Sequence, residues 1–366
     1  MARMRRQPAA RPVQLSVLLP THRHDLMAIS RIAQACSWAG PGIEIIVRDN
    51  SGNAGKREEI ARFRRDNCTI VSVDPCQPLE NFSELMRLAK GDFIFCIGDD
   101  DLCFDRAMAA LPGVIDEFGK DPSVAGMTGA YALETSKGSA VVAYKDIESD
   151  SVTARVAGYL SFGHANVMVY SPQRRAMVER VFHFMRAMPC YLSYHDQITC
   201  LLYLLNGRFV RLQRLIYAYD VGPWEEPQSA QKRDIDFYSA AGFDPAINKL
   251  HWFLCGFEGA MLIRNSGIFP DYPPPQRQKM ADQWFSAMFI RFTNNPRLTF
   301  DSAFAGQAEA FCQKLRASKG SLPFPDMLAD ICTFMAIFSE AKAQSYFDFW
   351  KELLNRRNPV AAAAER

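Results

Sequence analysis

Three consecutive carboxylates, Asp99, Asp100 and Asp101, close an apolar run of strand composition, Phe93 to Ile97, in the stretch GDFIFCIGDDDL from Gly91 to Leu102. Adjacent acids repel one another unless something offsets them, and hard oxygen ligands suit Mg²⁺ or Mn²⁺, above all when phosphate oxygens complete the shell. Side chains alternate in face along a strand, so Asp99 and Asp101 are expected on one side, where they could share a divalent cation, with Asp100 opposite. In an open α/β sheet the carboxyl ends of the strands face the ligand crevice, which is where these acids would be delivered. The plainer reading is a solvated acidic turn ahead of a helix beginning near Asp105. A calcium loop does not fit, because the position that needs a bidentate acid is Ala110. Along the chain, the nearest basic residue after the acids is Arg106.

The elements that must position these acids alternate. Val13 to Leu19 reads as a strand closed by Pro20, Asp25 to Ser37 as a helix, and Ile43 to Val47 as a second strand ending in Arg48 and Asp49. Lys56 to Asp66 reads as a charged surface helix, Thr69 to Val73 as a third strand, and Phe82 to Lys90 as a helix leading into the strand that carries the acids. Such alternation indicates βαβ units and a mostly parallel sheet flanked by helices. Right-handed crossovers bring the ends of the first, second and fourth strands to one edge. Pro20, Thr21, Asp49, Asn50 and the triple acid are therefore expected to converge. An acid placed like Asp49 can accept from a base imide or a ribose hydroxyl, its plainer role being an Asx-turn or helix cap. Neither GxGxxG nor a P-loop is present, which leaves a dinucleotide site or a Walker-type ATPase without support.

These same residues carry a resemblance. LSVLLPTHR, IIVRDNS, ENFSELMRLAKGDFIFCIGDDDL and YHDQ, in that order, resemble the signatures of family-two inverting glycosyltransferases with a GT-A fold. The phrase running from Asn81 through AKGDF to GDDD is similar to bacterial enzymes that add sugars to surface polysaccharides. The resemblance spans roughly Gln14 to Asp220. It implies that Pro20, Thr21 and Arg23 line a nucleotide pocket, that Asp49 contacts the base, and that Asn81 lies near the ribose and diphosphate. It implies further that Asp99, Asp100 and Asp101 hold donor and metal, with Asp99 and Asp101 as the expected ligands of Mn²⁺ or Mg²⁺. The chain departs from the family pattern twice: Arg48 replaces the first acid of the usual DD pair, and Gly98 stands where DxDD has its first acid, with Asp99 as its substitute.

Later in the chain, Val124 to Leu133, Ala140 to Tyr144, Val167 to Tyr170 and Val210 to Tyr219 read as strands, and Ile198 to Leu205 as an apolar helix. Asp196 stands at the head of that helix, where it could act as a cap. In the resembled family an acid there is the general base for the acceptor hydroxyl, and the two roles are compatible. His164 and His195 are weaker candidates for the acceptor side, and His195 is a second candidate base because imidazole takes a proton near neutral pH.

Composition bounds the rest. The chain has 366 residues, 48% hydrophobic and 22% charged, as expected of a soluble globular protein of one large or two medium domains. A net charge of +2 gives no argument for nucleic acid. Ten cysteines without a CxxC pair read as reduced thiols of a cytosolic protein. The arginine-rich start does not read as a signal peptide, and no apolar stretch is long enough to span a membrane. Residues 1–12 read as a disordered basic tail, 13–221 as the catalytic domain and 222–247 as a linker. A helical carboxyl-terminal domain is expected over 248–358, with helices at Leu250 to Ile263, Arg277 to Thr293, Ser302 to Ala317, Met327 to Ala343 and Tyr346 to Arg356. Trp252, Phe285, Phe289, Phe334, Phe338 and Trp350 recur there near helical spacing and read as core or subunit interface. That part is open to holding the acceptor, forming a homo-oligomer, or docking peripherally on a membrane.

The expected activity is metal-dependent transfer of a sugar from a nucleotide-diphosphate donor to a hydroxyl of a saccharide or lipid-linked saccharide acceptor. It would take place in the cytoplasm or at the inner face of the membrane. A non-catalytic nucleotide-sugar-binding scaffold and a nucleotidyltransferase are the alternatives, the latter disfavoured by the lack of a glycine-rich triphosphate loop after the first strand.

Overall fold

The computed structural model describes residues 12–162, 166–189, 192–222, 226–294, 303–318 and 323–355. Strand β1 (Leu15–Thr21) pairs in parallel with β2 (Ile43–Asp49) and with β4 (Phe93–Cys96), and β2 pairs in parallel with β3 (Cys68–Ser72). All seven residues of β2 are buried, Glu44 among them as the acceptor of the Ser16 hydroxyl at 2.6 Å, which fits a parallel strand covered on both faces. Helices α1 (Leu26–Ser37), α2 (Ala54–Ala61) and α3 (Pro78–Leu88) connect these strands. Asp25 caps α1 by accepting from the Ala28 amide at 3.0 Å, and Asn53 caps α2 by accepting from the Lys56 amide at 2.9 Å.

Beyond β4 the sheet becomes mixed. Its order is β3-β2-β1-β4-β8-β6-β9-β5, with β7 paired to β6. The added strands are β5 (Leu102–Cys103), β6 (Val124–Thr135), β7 (Gly138–Val142), β8 (Gln173–Arg174) and β9 (Arg208–Asp220). The short β5 follows the acids directly and pairs antiparallel with β9, setting Cys103 opposite Tyr217. The end of β9 is thereby carried to the acids. Helices α4 (Asp105–Phe118), α5 (Val152–Phe162), α6 (Arg175–Ala187) and α7 (His195–Asn206) complete this half.

Three expected elements differ. Val167–Tyr170 is a 3₁₀ turn, in which the Met168 amide donates to the Tyr144 hydroxyl at 3.1 Å instead of to a strand. The stretch 222–247, expected as a linker, carries helix α8 (Pro227–Ala240), in which Tyr238 is wholly buried. Four helices follow it as α9 (His251–Asn265), α10 (Pro274–Asn294), α11 (Ala305–Ala317) and α12 (Phe324–Ala336), and the last is α13 (Glu340–Asn355). The break near the end falls at residues 337–339 instead of after Ala343. The aromatic residues expected as core are so: Trp350, Phe334 and Phe285 are buried, while Trp252, Phe289 and Phe338 pack against them half-buried. One contiguous hydrophobic cluster includes residues from Leu15 to Leu353. Nine cysteines among the described residues are free thiols. No helix among the described residues is long and apolar enough to cross a membrane.

Candidate active site

The ends of β1, β2 and β4 meet as expected, and a chain of buried polar contacts joins them. Asp49 is 1% exposed and forms an ion pair with Lys56 at 2.8 Å. Lys56 also donates to the Thr21 hydroxyl at 2.7 Å, and that hydroxyl donates to Asp99. Lys56 is not a surface residue: the Asn53 cap turns the first turn of α2 so that its side chain runs back under the sheet edge, and it is 2% exposed. Asn81 is buried as well, its carbonyl oxygen accepting from Arg48 at 2.6 Å. Asn81 thus fixes Arg48 near the end of β2.

Removing one partner of a buried ion pair leaves the other charged and unsolvated. Asp49→Ala is therefore expected to cost about 3–5 kcal/mol of stability by stranding the Lys56 ammonium. The double variant Asp49→Ala, Lys56→Met should recover most of that loss. Urea unfolding midpoints of the single and double variants check this, and equal midpoints for wild type and Asp49→Ala would contradict it.

The acids do not follow strand alternation, because β4 ends at Cys96 and residues 99–101 lie in an irregular turn. Asp99 turns toward Thr21. Asp100 and Asp101 converge above Gly98, where a Cβ atom would lie 2.6 Å from Asp100 Oδ1 and 3.1 Å from Asp101 Oδ2. Any side chain at Gly98 would displace these carboxylates, so the glycine makes room for the two acids that follow. Of the expected metal pair, Asp99 accepts from the Thr21 hydroxyl and Asp101 from the Tyr217 hydroxyl, while Asp100 and Asp101 both border the space above Gly98. Asp101 accepts from the Tyr217 hydroxyl and, at 3.2 Å, from the Asp220 amide. Burial pushes its carboxyl up to about 6 against the Tyr217 hydrogen bond, with the charges of Asp100 and Asp220 adding to the rise. Across the cleft Arg23, from the loop after β1, reaches Asp100 at 3.6 Å, a cation that is remote in sequence. Pro20 is half-buried at the end of β1, opposite Arg48.

The donor set here is made of hard carboxylate oxygens short of positive charge, which fits a divalent cation that takes its remaining ligands from a diphosphate. Among the described residues no group of three or more His, Cys, Asp or Glu side chains forms a ready-made metal cage.

Asp196 lies within electrostatic reach of Tyr170. Tyr170 stacks on Tyr217 at 4.9 Å and lies 5.9 Å from Tyr219. Burial first, then the negative charges of Asp196, Tyr219 and Asp101, push the Tyr170 hydroxyl well up, so one half-buried ring senses both Asp196 and Asp101. Asp196 itself is solvent-exposed, yet desolvation by the surrounding protein pushes its carboxyl up to about 6, a rise that His195 partly offsets. Asp196 is not the helix cap: Tyr194 occupies that position, without a side-chain cap bond, and Asp196 sits in the first turn of α7.

His195, expected on the acceptor side or as a second base, is wholly buried between the Leu192 backbone and Glu258. It has no face open to a substrate. His164 lies outside the described residues. Sequence reasoning missed Lys56, Tyr170, Tyr217 and Asp220. Of these only Asp220, an acid closing a strand, carried a signal comparable to Asp49.

No family model and no curated protein matches the chain. Among solved structures it is similar to S. aureus TarS 1–349 in complex with UDP-GlcNAc, at 13% identity over 93% of this chain and 90% of that one, with a TM-score of 0.50. S. aureus TarS 1–349 without the nucleotide sugar gives 14% identity over the same shares and a TM-score of 0.48. The mannosyltransferase PcManGT from Pyrobaculum calidifontis in complex with GDP-Man and Mn²⁺ gives 14% identity over 95% of this chain and 86% of that one, with a TM-score of 0.43. The likeness to TarS in complex with UDP-GlcNAc is a likeness of fold.

Proposed function

We propose that this chain is an inverting glycosyltransferase that moves a sugar from a nucleotide-diphosphate donor to a hydroxyl of a saccharide or lipid-linked saccharide acceptor, in bacterial polysaccharide synthesis. The observation that supports the reading is that Tyr170, stacked on Tyr217 whose hydroxyl bonds Asp101, lies within electrostatic reach of both Asp101 and Asp196. The TarS-like fold, with its UDP-GlcNAc complex, supports a nucleotide sugar as donor.

The residues divide the work. Thr21, Asp49 and Lys56 form the floor of the nucleotide end, and Arg23 stands where it can meet the diphosphate. Asp196 takes the proton of the acceptor hydroxyl, whose oxygen attacks the anomeric carbon from the face opposite the diphosphate. The bond to the diphosphate oxygen breaks as the new one forms, its electron pair leaves with the diphosphate, and the configuration inverts. A divalent cation, Mn²⁺ or Mg²⁺, held by Asp100 and Asp101, would offset the charge that develops on the leaving diphosphate. A single displacement needs no enzyme nucleophile.

The test is to incubate the protein with a panel of nucleotide sugars, Mn²⁺ and oligosaccharide acceptors, and to measure released nucleoside diphosphate. A nucleotidyltransferase would release pyrophosphate from a nucleoside triphosphate instead, and a scaffold would bind without release.

The base must be ionised to act. Because its pKa is raised to about 6, the neutral form of Asp196 persists two units above the usual range of an aspartic acid. At saturating donor, the rate of transfer is expected to fall about tenfold per pH unit below about pH 6 and to level off above it. A pH–rate profile flat from pH 5 to 8 would contradict this assignment.

A further inference from the structure

We propose that Glu258 of α9 is a positioning residue for Asp196, so that the carboxyl-terminal helices complete the active site; this rests on the functional reading above. Asp196 lies in the first turn of a helix whose cap residue, Tyr194, makes no side-chain cap bond, so something else must hold that turn. The segment from Leu192 to His195 is held from behind. Glu258 is wholly buried, and one of its oxygens accepts from Tyr194 and from Tyr346 of α13, each at 2.8 Å. Its other oxygen lies 3.3 Å from His195 Nε2. The His195 ring stacks on Tyr194 at 4.6 Å, and its Nδ1 accepts from the Leu192 amide at 2.7 Å. The same Nδ1 lies 2.9 Å from the Leu192 carbonyl oxygen, so the ring is held against the Leu192 backbone with its Nε2 edge turned to Glu258. Ser193 pairs with His251 Nδ1 at 3.1 Å and with the Tyr238 hydroxyl at 3.3 Å, and Tyr238 donates to Asn248 at 3.1 Å.

Each residue from Leu192 to His195 is thus joined, directly or through His195, to a polar group of the carboxyl-terminal helices. A buried carboxylate is expensive for stability, and an apolar residue of similar size would serve packing as well or better. What the acid supplies is direction: one oxygen gathers two hydroxyls and the other faces the His195 ring, behind the turn that bears Asp196.

The experiment compares Tyr346→Phe, which removes one hydroxyl and keeps the ring, with Glu258→Gln, which keeps an acceptor oxygen and removes the charge. Transfer kinetics and hydrogen exchange over residues 195–198 are measured on both. Displacement of a catalytic group costs rate steeply, so Tyr346→Phe is expected to lower kcat about tenfold and Glu258→Gln about 10²-fold, with KM for the donor unchanged. Exchange should rise over 195–198 while β1 and β2 stay protected. Unchanged kcat in Tyr346→Phe, with Asp196→Asn inactive, overturns the proposal even if Glu258→Gln does not fold. A uniform rise in exchange at full kcat overturns it too, since that is what packing alone would give. If the wild type transfers no sugar, the functional reading fails separately. The exchange data then decide whether Glu258 orders the turn: a rise confined to 195–198 supports the coupling, and none overturns it.

Discussion

Asp196→Asn is expected to lower turnover by about 10²- to 10⁴-fold while leaving donor affinity unchanged, because a positioned base contributes that much and acts only on the acceptor. Asparagine preserves the shape of the side chain. The cap of α7 is Tyr194, so no structural bond of the helix terminus is lost with the charge. Steady-state kinetics with a nucleotide sugar, together with calorimetry of nucleoside diphosphate binding, separate the two effects. Near-normal turnover in Asp196→Asn would move the base elsewhere, and His195 could not inherit the role, being sealed between Leu192 and Glu258.

Asp101→Asn is expected to have the second largest effect. Metal-assisted departure of a diphosphate is worth several kcal/mol of transition-state stabilisation, so the loss in kcat/KM should be about 10²-fold or more. The asparagine keeps an oxygen to accept from Tyr217, which holds the local fold while removing a cation ligand. Nucleoside diphosphate should bind wild type more tightly with Mn²⁺ than with chelator, and Asp101→Asn equally under both conditions. Calorimetry giving equal affinities for the wild type would contradict the metal role of these acids.

The half of the site built from β1, β2 and β4 was legible because parallel strands buried on both faces read as unbroken apolar runs, and the polar residues that end them stand out. Asp49, Thr21 and the triple acid were found that way. Lys56 was not, since a lysine in the charged run KREE looks like a solvated face until the Asn53 cap fixes the direction of the turn. Strand alternation was no guide to the facing of the acids, since it holds only within a strand and β4 stops at Cys96. Tyr217 and Asp220 reach the acids through β5, a strand of two residues too short to announce itself. Glu258 was invisible as one acid in an apolar helix, because its partners Tyr194 and Tyr346 are separated from it by 64 and 88 residues.

The most direct test of the account is a crystal structure with a nucleoside diphosphate and Mn²⁺ bound. The diphosphate and metal are expected at Asp100 and Asp101, near Arg23, with the base toward Thr21 and Asp49 and open space between the diphosphate and Asp196. A nucleotide found instead in the cavity of about 460 Å³ among the carboxyl-terminal helices, lined by Arg264, Asp282 and Phe324, would contradict it.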